Sequence, residues 1–353
     1  MSPTHLLIRL PNWVGDLLMA RPAVQAIRLR WPDARLVGMA RPRHAALAER
    51  LGVFHAVLRA PCGSAPARAA AMAAAARALR SRRVDTAVIL APSFEAALTA
   101  WLAGIGRRIG HATDHRRLLL TDPVAPRAGV HRADEYLDLA RVLHAGDPPP
   151  AVSRLALTDA DRACAARLFA AMAWPESCRP VFVNPAAAKT PRAWSAERFR
   201  ALVERLTGEG RSVVVHDRQP FSAANGWAAA QGVALVRDAT LPELAALLER
   251  CALYVGNDSG PAHLAAAVGI PTVTIHGPSS PNRTVPQSTS GRTNVAVSAA
   301  FDCSPCRERF FEECPSPPSA DRRPPCLQAV GLDEVAAAVS RALAAVAVRR
   351  PSR

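Results

Sequence analysis

The chain is poor in aromatic side chains, with only two Tyr and nine Phe among 353 residues. They are not interleaved with basic residues, as in proteins that stack single-stranded bases, so no specific nucleic-acid partner is expected. Long apolar runs are also missing. Nothing approaches the roughly 18 consecutive apolar residues of a membrane span: Arg68 and Arg77 bracket the longest alanine run, and the C-terminal helical stretch carries Asp333, Glu334 and Arg341. The opening MSPTHLLIRLPNWVGD sets Arg9 inside its only apolar run with no cleavage-like site behind it. It does not read as a signal peptide, and a cytoplasmic protein is expected. The Gly-x-Gly-x-x-Gly fingerprint is absent after the first strand, which sets aside a dinucleotide oxidoreductase. Acidic residues are scarce, 29 against 44 basic ones, for a formal charge of +15. That excess suits a polyanionic partner, whether nucleic acid, a phosphorylated sugar lipid or an anionic membrane surface; biased composition alone would give the same arginine-rich exterior.

What the chain does have is an alternation of alanine-rich helical stretches with short runs such as Ala87–Leu90 and Val213–Val215, the pattern of an α/β fold. The length suits two domains of roughly 150 to 180 residues. HLLIRL reads as a strand, PNWVG as a loop, and Asp16–Arg30 as a helix that bends near Pro22. Strands at Leu36–Met39 and Thr86–Leu90 and helices at Arg68–Leu79 and Phe94–Leu102 complete a Rossmann-like count. GDPPP at Gly146–Pro150 is irregular, and a helix over Asp159–Met172 leads to a boundary near residue 172. A second series follows over 173–330: strand Val181–Val183, helix Ser195–Leu206, strand Ser212–His216, helix Pro242–Cys251, strand Leu253–Val255, helix Pro261–Val268 and strand Thr272–Ile275. An irregular Pro- and Cys-rich loop, 278–326, precedes a final helix within 331–353, which is expected to pack back on the first domain.

Three segments carry candidate chemistry. GNDSGPAH, Gly256 to His263, puts Asn257 and Asp258 at a strand's carboxyl end, with Ser259 placed to cap the helix that Pro261 opens. Free amides of a first helical turn attract anions and Gly260 admits a ligand to the backbone, so the segment suits a diphosphate, with His263 as a further donor. Taken alone, a tight turn and a core histidine fit these residues equally well. In PNWVGD, Asp16 follows a strand near the start of a helix, at the sheet end where open α/β folds bind ligands. A carboxylate there can take a proton from a hydroxyl, the helix dipole keeping it ionised; it can also simply cap the helix. In NPAAAKTPRAW, Asn184 to Trp194, small residues permit close approach while Lys189 and Arg192 can offset phosphate charge, though a solvated loop has the same make-up.

Together these segments resemble the family 9 glycosyltransferases, the ADP-heptose:lipopolysaccharide heptosyltransferases, across nearly the whole chain. The anchors are LIRLPNWVGDLLMARPAVQAIR, NPAAAKTPRAWSAERF and YVGNDSGPAHLAAAVGIPTVTIHGPSSP. The PNWVGD form and the late cysteines look most like the heptosyltransferase II branch. The resemblance implies a GT-B fold, two Rossmann-like domains facing each other across a cleft, the first for the acceptor and the second for the nucleotide sugar. It implies Asp16 as catalytic base and Asn257 to His263 as the donor-phosphate loop, with Asn184, Ala187 and Ala188 lining the donor. The family usually has lysine where Arg192 stands and proline where Ser195 stands, so Arg192, or Lys189 in its place, is expected as the phosphate cation. With Ala186–Ala188 in place of hydroxyl-bearing residues, backbone amides must serve the phosphates.

The implied reaction is a single displacement with inversion, without a required cofactor. ADP-heptose is the implied donor and the lipopolysaccharide inner core the lipid-linked acceptor, with peripheral contact at the inner-membrane surface and a monomeric chain. Other family 9-like transferases with a different donor or acceptor, and GT-B nucleotide-sugar epimerases, remain alternatives. Late in the chain Cys303, Cys306, Cys314 and Cys326 are spaced C-x2-C-x7-C-x11-C. The first pair has metal-ligand spacing, so a structural zinc or four plain thiols are both open; the spacings beyond it match no common zinc module.

Overall fold

Two sheets of six strands, all parallel, organise the described residues. The computed structural model describes residues 3–144, 153–187, 190–217, 227–287, 294–301, 303, 304, 306, 314 and 323–348. The GDPPP segment at 146–150 lies outside them. Contacts divide the chain into Met1–Ala156 and Leu157–Arg353.

The first unit runs β1 (His5–Arg9), α1 (Val14–Met19), α2 (Arg21–Arg30), β2 (Arg35–Ala40), α3 (Ala45–Glu49), β3 (Ala56–Arg59), α4 (Ala65–Ser81), β4 (Thr86–Ile89), α5 (Phe94–Leu102), β5 (Arg107–His111), β6 (Asp122–Val124) and α6 (Arg132–Arg141). Its strand order is β3-β2-β1-β4-β5-β6. Leu6, Leu7 and Ile8, and likewise Ala87, Val88 and Ile89, are buried without alternation, because helices cover both faces of a parallel sheet. The bend expected near Pro22 is a full break: Ala20 closes α1, and α2 starts with Pro22 in its first turn, where the missing N–H leaves no bond unmade.

The second unit runs α7 (Asp159–Ala171), β7 (Val181–Asn184), α8 (Ala196–Gly208), β8 (Val213–His216), α9 (Trp227–Ala230), β9 (Ala234–Val236), α10 (Leu241–Glu249), β10 (Leu253–Asn257), α11 (Gly260–Ala267), β11 (Thr272–His276), α12 (Pro281–Thr284), β12 (Asn294–Ser298), α13 (Pro325–Gln328) and α14 (Leu332–Val348). The order β12-β11-β10-β7-β8-β9 repeats the first sheet's topology. In both units the first and fourth strands lie side by side at the centre, and the chain winds outward from them in opposite directions. The carboxyl ends of those two strands mark the switch point where open α/β sheets bind ligands.

Three expectations need correction. The helix α7 belongs with the second unit, ahead of the boundary read near residue 172: it packs on α10, Arg162 Nε lies 3.0 Å from Glu249 Oε2, and the Arg250 guanidinium sits over the Phe169 ring at 3.7 Å. The final helix α14, expected against the first domain, places Val335, Ala338, Val339 and Ala342 in the core of the second unit. The stretch 278–325, expected to be irregular, contains α12 and an added strand, β12, which pairs with β11 from Thr272↔Asn294 to His276↔Ser298.

The packing of α7 is testable. Phe169→Ala removes a buried ring that meets Trp174 edge-on at 5.3 Å, a truncation that costs about 3 to 5 kcal/mol in comparable cores. Hydrogen exchange should then quicken in β7, β8 and β10 and leave β1 and β4 unchanged; the reverse pattern would place α7 with the first unit.

Candidate active site

In the first unit, β1 delivers the chain to its switch point and α1 begins after four intervening residues, so Asp16 sits in the first helical turn. Its Oδ1 accepts a hydrogen bond from the Tyr136 hydroxyl at 3.0 Å, and Arg132 Nε stands 3.5 Å away. Both partners come from α6. Arg132 also binds the buried Glu135 at 2.5 Å, which fixes the guanidinium beside Asp16. Burial, reinforced by the charge of Asp16, raises the Tyr136 pKa well above its usual value, so the phenol keeps its proton and acts as a donor. A cation and a hydroxyl donor both suit an ionised carboxylate. The Asp16 side chain keeps 26% of its surface open, so a hydroxyl can reach it.

In the second unit the site is built on two asparagines at the ends of adjacent central strands, β7 and β10. Asn184 and Asn257 are both buried. Asn257 Oδ1 accepts the Trp194 N–H at 2.8 Å and its Nδ2 donates to the Pro185 carbonyl at 2.8 Å. One side chain thus pins both ends of the loop that carries Arg192. Asn184 Nδ2 donates to the Ala186 carbonyl at 3.1 Å and to Ser259 Oγ at 3.2 Å, while its Oδ1 lies 2.9 Å from His216 Nδ1. Between the two strands Gly256 faces Asn184 in register. A Cβ at Gly256 would fall 2.6 Å from the Asn184 carbonyl oxygen and 2.7 Å from the Tyr254 hydroxyl, so no side chain fits there.

Asp258 is buried, and three groups surround its Oδ2: Arg192 Nη1 at 3.6 Å, the Thr284 hydroxyl donating at 3.3 Å and His276 Nδ1 at 4.0 Å. Burial lowers the His276 pKa, with Asp258 opposing and Arg192 assisting. His276 is therefore neutral at physiological pH, held by Thr274 Oγ1 at 2.9 Å and Ser279 Oγ at 3.3 Å. That leaves Arg192 as the cation beside Asp258 among the described residues. A buried carboxylate would repel a diphosphate, so the chemistry open to Asp258 is to hold Arg192.

The sequence expectations are thus placed unevenly. Asn184, Arg192, Asn257, Asp258 and Ser259 come together at one switch point, and α11 starts there at Gly260. His263 is buried one turn into α11. Ala187 is half-buried beyond β7. Ala188 and Lys189 lie outside the described residues. Ser259 occupies the N-cap position without capping: its side chain makes no bond to the α11 backbone and faces Asn184 and the Tyr254 hydroxyl instead. Sequence reasoning missed Tyr136 and Arg132, and also His276 and Thr284, although His276 lies within the quoted segment YVGNDSGPAHLAAAVGIPTVTIHGPSSP. Nothing in local sequence marks Tyr136, which reaches Asp16 across 120 residues.

The sequence profile of glycosyltransferase family 9 (heptosyltransferase) matches residues 72–314. The chain belongs to this family. It is 27% identical over 300 residues to lipopolysaccharide heptosyltransferase 2 of Escherichia coli K12, an alignment covering 80% of this chain and 85% of that one. Its fold resembles the structure of E. coli ADP-heptose LPS heptosyltransferase II, with TM-score 0.77 and 22% identity over 98% of this chain and 99% of that one. A family 9 glycosyltransferase from Veillonella parvula superposes with TM-score 0.83 at 17% identity, covering 98% of each chain. The protein is a GT-B glycosyltransferase, and no described helix is long and apolar enough to cross a membrane.

A substitution at the strand junction follows from this family 9 geometry. Gly256→Ala forces Asn184 or Tyr254 aside, and overpacking of this kind costs about 1 to 3 kcal/mol. Thermal unfolding should show that loss; a variant with unaltered melting would mean the junction is looser than described.

Proposed function

We propose that this glycosyltransferase transfers heptose from ADP-heptose to the inner core of lipopolysaccharide with inversion, as a heptosyltransferase II. The observation that carries the reading is Arg192, fixed at the switch point of the second sheet between Asp258 and the loop that Asn257 pins. An arginine held in place meets the growing charge of a departing diphosphate without reorganising, and such preset electrostatics favour the transition state over the ground state. The names of the curated relatives support the donor and acceptor assignment.

The residues divide the work. The acceptor hydroxyl attacks the anomeric carbon, Asp16 accepts its proton, and the bond to ADP breaks on the opposite face. Arg192, the Gly260 end of α11 and backbone amides after Asn184 receive the diphosphate. Lys189 is the alternative cation, and Ala187 and Ala188 offer close backbone approach. Tyr136 and Arg132 are positioning residues that hold Asp16 toward the acceptor. The acceptor is a lipid-linked oligosaccharide, and the +15 charge favours peripheral contact with the anionic inner-membrane face from the cytoplasmic side.

Two variants test the first-unit half of this reading. Asp16→Asn keeps the shape and removes the base, and general-base loss costs about 10²- to 10⁴-fold in turnover. ADP affinity should stay unchanged; near-normal transfer would remove Asp16 from the mechanism. Tyr136→Phe deletes one hydrogen bond to a charged group, worth about 1.5 to 3 kcal/mol. It should lower kcat and move the acidic limb of the kcat–pH profile upward at constant donor KM. A fall in donor affinity with an unmoved profile would assign Tyr136 a purely structural place.

A further inference from the structure

Among the described residues six large apolar side chains stand exposed, and four of them share one place in the first unit. Phe94, Trp101 and Leu102 lie on α5, and Leu118, 93% exposed, lies on the 3-10 turn Arg117–Leu119 that packs against it. Arg108 ties turn to helix. Its guanidinium donates to the Ile105 carbonyl, just past α5, and to the Leu119 carbonyl at 2.7 Å.

The helix α5 is apolar on both sides. Ala96, Ala97 and Ala100 enter the core cluster that also holds Ala75, Ala76 and Leu79 of α4. Phe94, Leu98, Trp101 and Leu102 recur at i, i+4, i+7 and i+8 and form the side left out of that core. Small residues are thus spent on packing while the large ones face outward, the reverse of what a helix with only water on its free side favours. Single exposed leucines are ordinary, but a continuous stripe of this kind marks a surface that meets something apolar.

Charge on the surrounding elements identifies the partner. The helices α4 and α5 and the turn carry Arg68, Arg77, Arg80 and Arg117 against one acid, Glu95, and Glu95 stands 3.8 Å from Arg68. Arg77, Arg80 and Arg117 are exposed. Arg80 Nη2 donates to the Leu102 carbonyl at 3.1 Å, which sets one cation at the edge of the stripe. A second copy of the chain would bring two arginine rims together around the apolar contact, and like charges oppose that. An anionic lipid surface suits both parts: the apolar side chains enter between the headgroups and the arginines stay at the level of the phosphates.

We propose that the outward face of α5 with Leu118, rimmed by Arg77, Arg80 and Arg117, docks the chain on an anionic phospholipid surface. The inference rests on the lipid-linked acceptor of the proposed function and gives the membrane contact a location. Strand β4 neighbours β1, and α5 starts beyond the carboxyl end of β4, the sheet end that carries Asp16. The docking face therefore begins at the end of the sheet where a membrane-held hydroxyl would meet the base.

Co-sedimentation of the full chain with lipid vesicles, in the absence of substrate, tests this. Vesicles of phosphatidylcholine mixed with phosphatidylglycerol should bind the unaltered chain, and pure phosphatidylcholine vesicles should bind it far less. Trp101→Ser combined with Leu118→Ser should weaken that binding roughly tenfold or more, and Arg77→Gln combined with Arg117→Gln roughly fivefold for each lost charge. All four positions are exposed, so Tm should not move; if the apolar pair nonetheless melts early, the arginine pair carries the test. Transfer to a soluble acceptor without a lipid should be equal in all these chains. Its absence from the unaltered chain would strike the proposed reaction and leave the docking face standing. An unaltered chain that binds neither vesicle, or both alike, would overturn the docking proposal, as would a Trp101 and Leu118 variant that binds undiminished. So would sedimentation velocity showing a dimer that the same variant abolishes.

Discussion

The carboxamide of Asn257 is the interaction on which the Arg192 loop of the second unit depends. It is fully buried and bonded at both ends, to the Trp194 N–H and the Pro185 carbonyl. Removing it would strand the buried Trp194 N–H, at about 1 to 3 kcal/mol, and free the half-buried Pro185 carbonyl. At its start the loop is also held through the Ala186 carbonyl, which accepts from Asn184 Nδ2 at 3.1 Å. At its end Trp194 is locked independently, its indole N–H donating to the Val330 carbonyl at 2.9 Å and its ring meeting Phe199 edge-on at 5.0 Å. Arg192 lies between those fixed points, with Asp258 supplying the charge that holds it.

The same topology recurs in both units with different side chains at the switch point. Each sheet buries its central strands on both faces and leaves only their carboxyl ends for ligands. In the first unit the switch point carries a carboxylate with one hydroxyl donor and one cation beside it. In the second it carries a cation, two polar strand ends and a helix N-terminus. The proposed inverting displacement from a diphosphate sugar would call on both, the carboxylate as base and the cation as anion site.

The sequence made the architecture legible where elements are long or strongly apolar. The helix Phe94–Leu102 coincides with its expected span, and the buried strands Val181–Asn184, Val213–His216 and Thr272–His276 lie within a residue or so of theirs. Short edge strands were not legible: β3, β6 and β12 are only partly buried, so their composition does not stand out from loop. The boundary was misplaced because α7 looks like a linker helix until its contact with α10 is known. Asp16, Asn257 and Arg192 were visible through motif context, whereas Tyr136 and Arg132 depend on α6 returning to α1. Ser259 has the right residue type for an N-cap, but Asn184 and Tyr254 compete for its hydroxyl and hold it off the helix.

Calorimetric titration of ADP and of adenosine into the unaltered chain and an Arg192→Gln variant tests the central claim most directly. A lost charge-assisted contact of about 1.5 to 3 kcal/mol should weaken ADP binding roughly ten- to a hundredfold and leave adenosine binding unchanged. Equal affinities of the two chains for ADP would contradict the account.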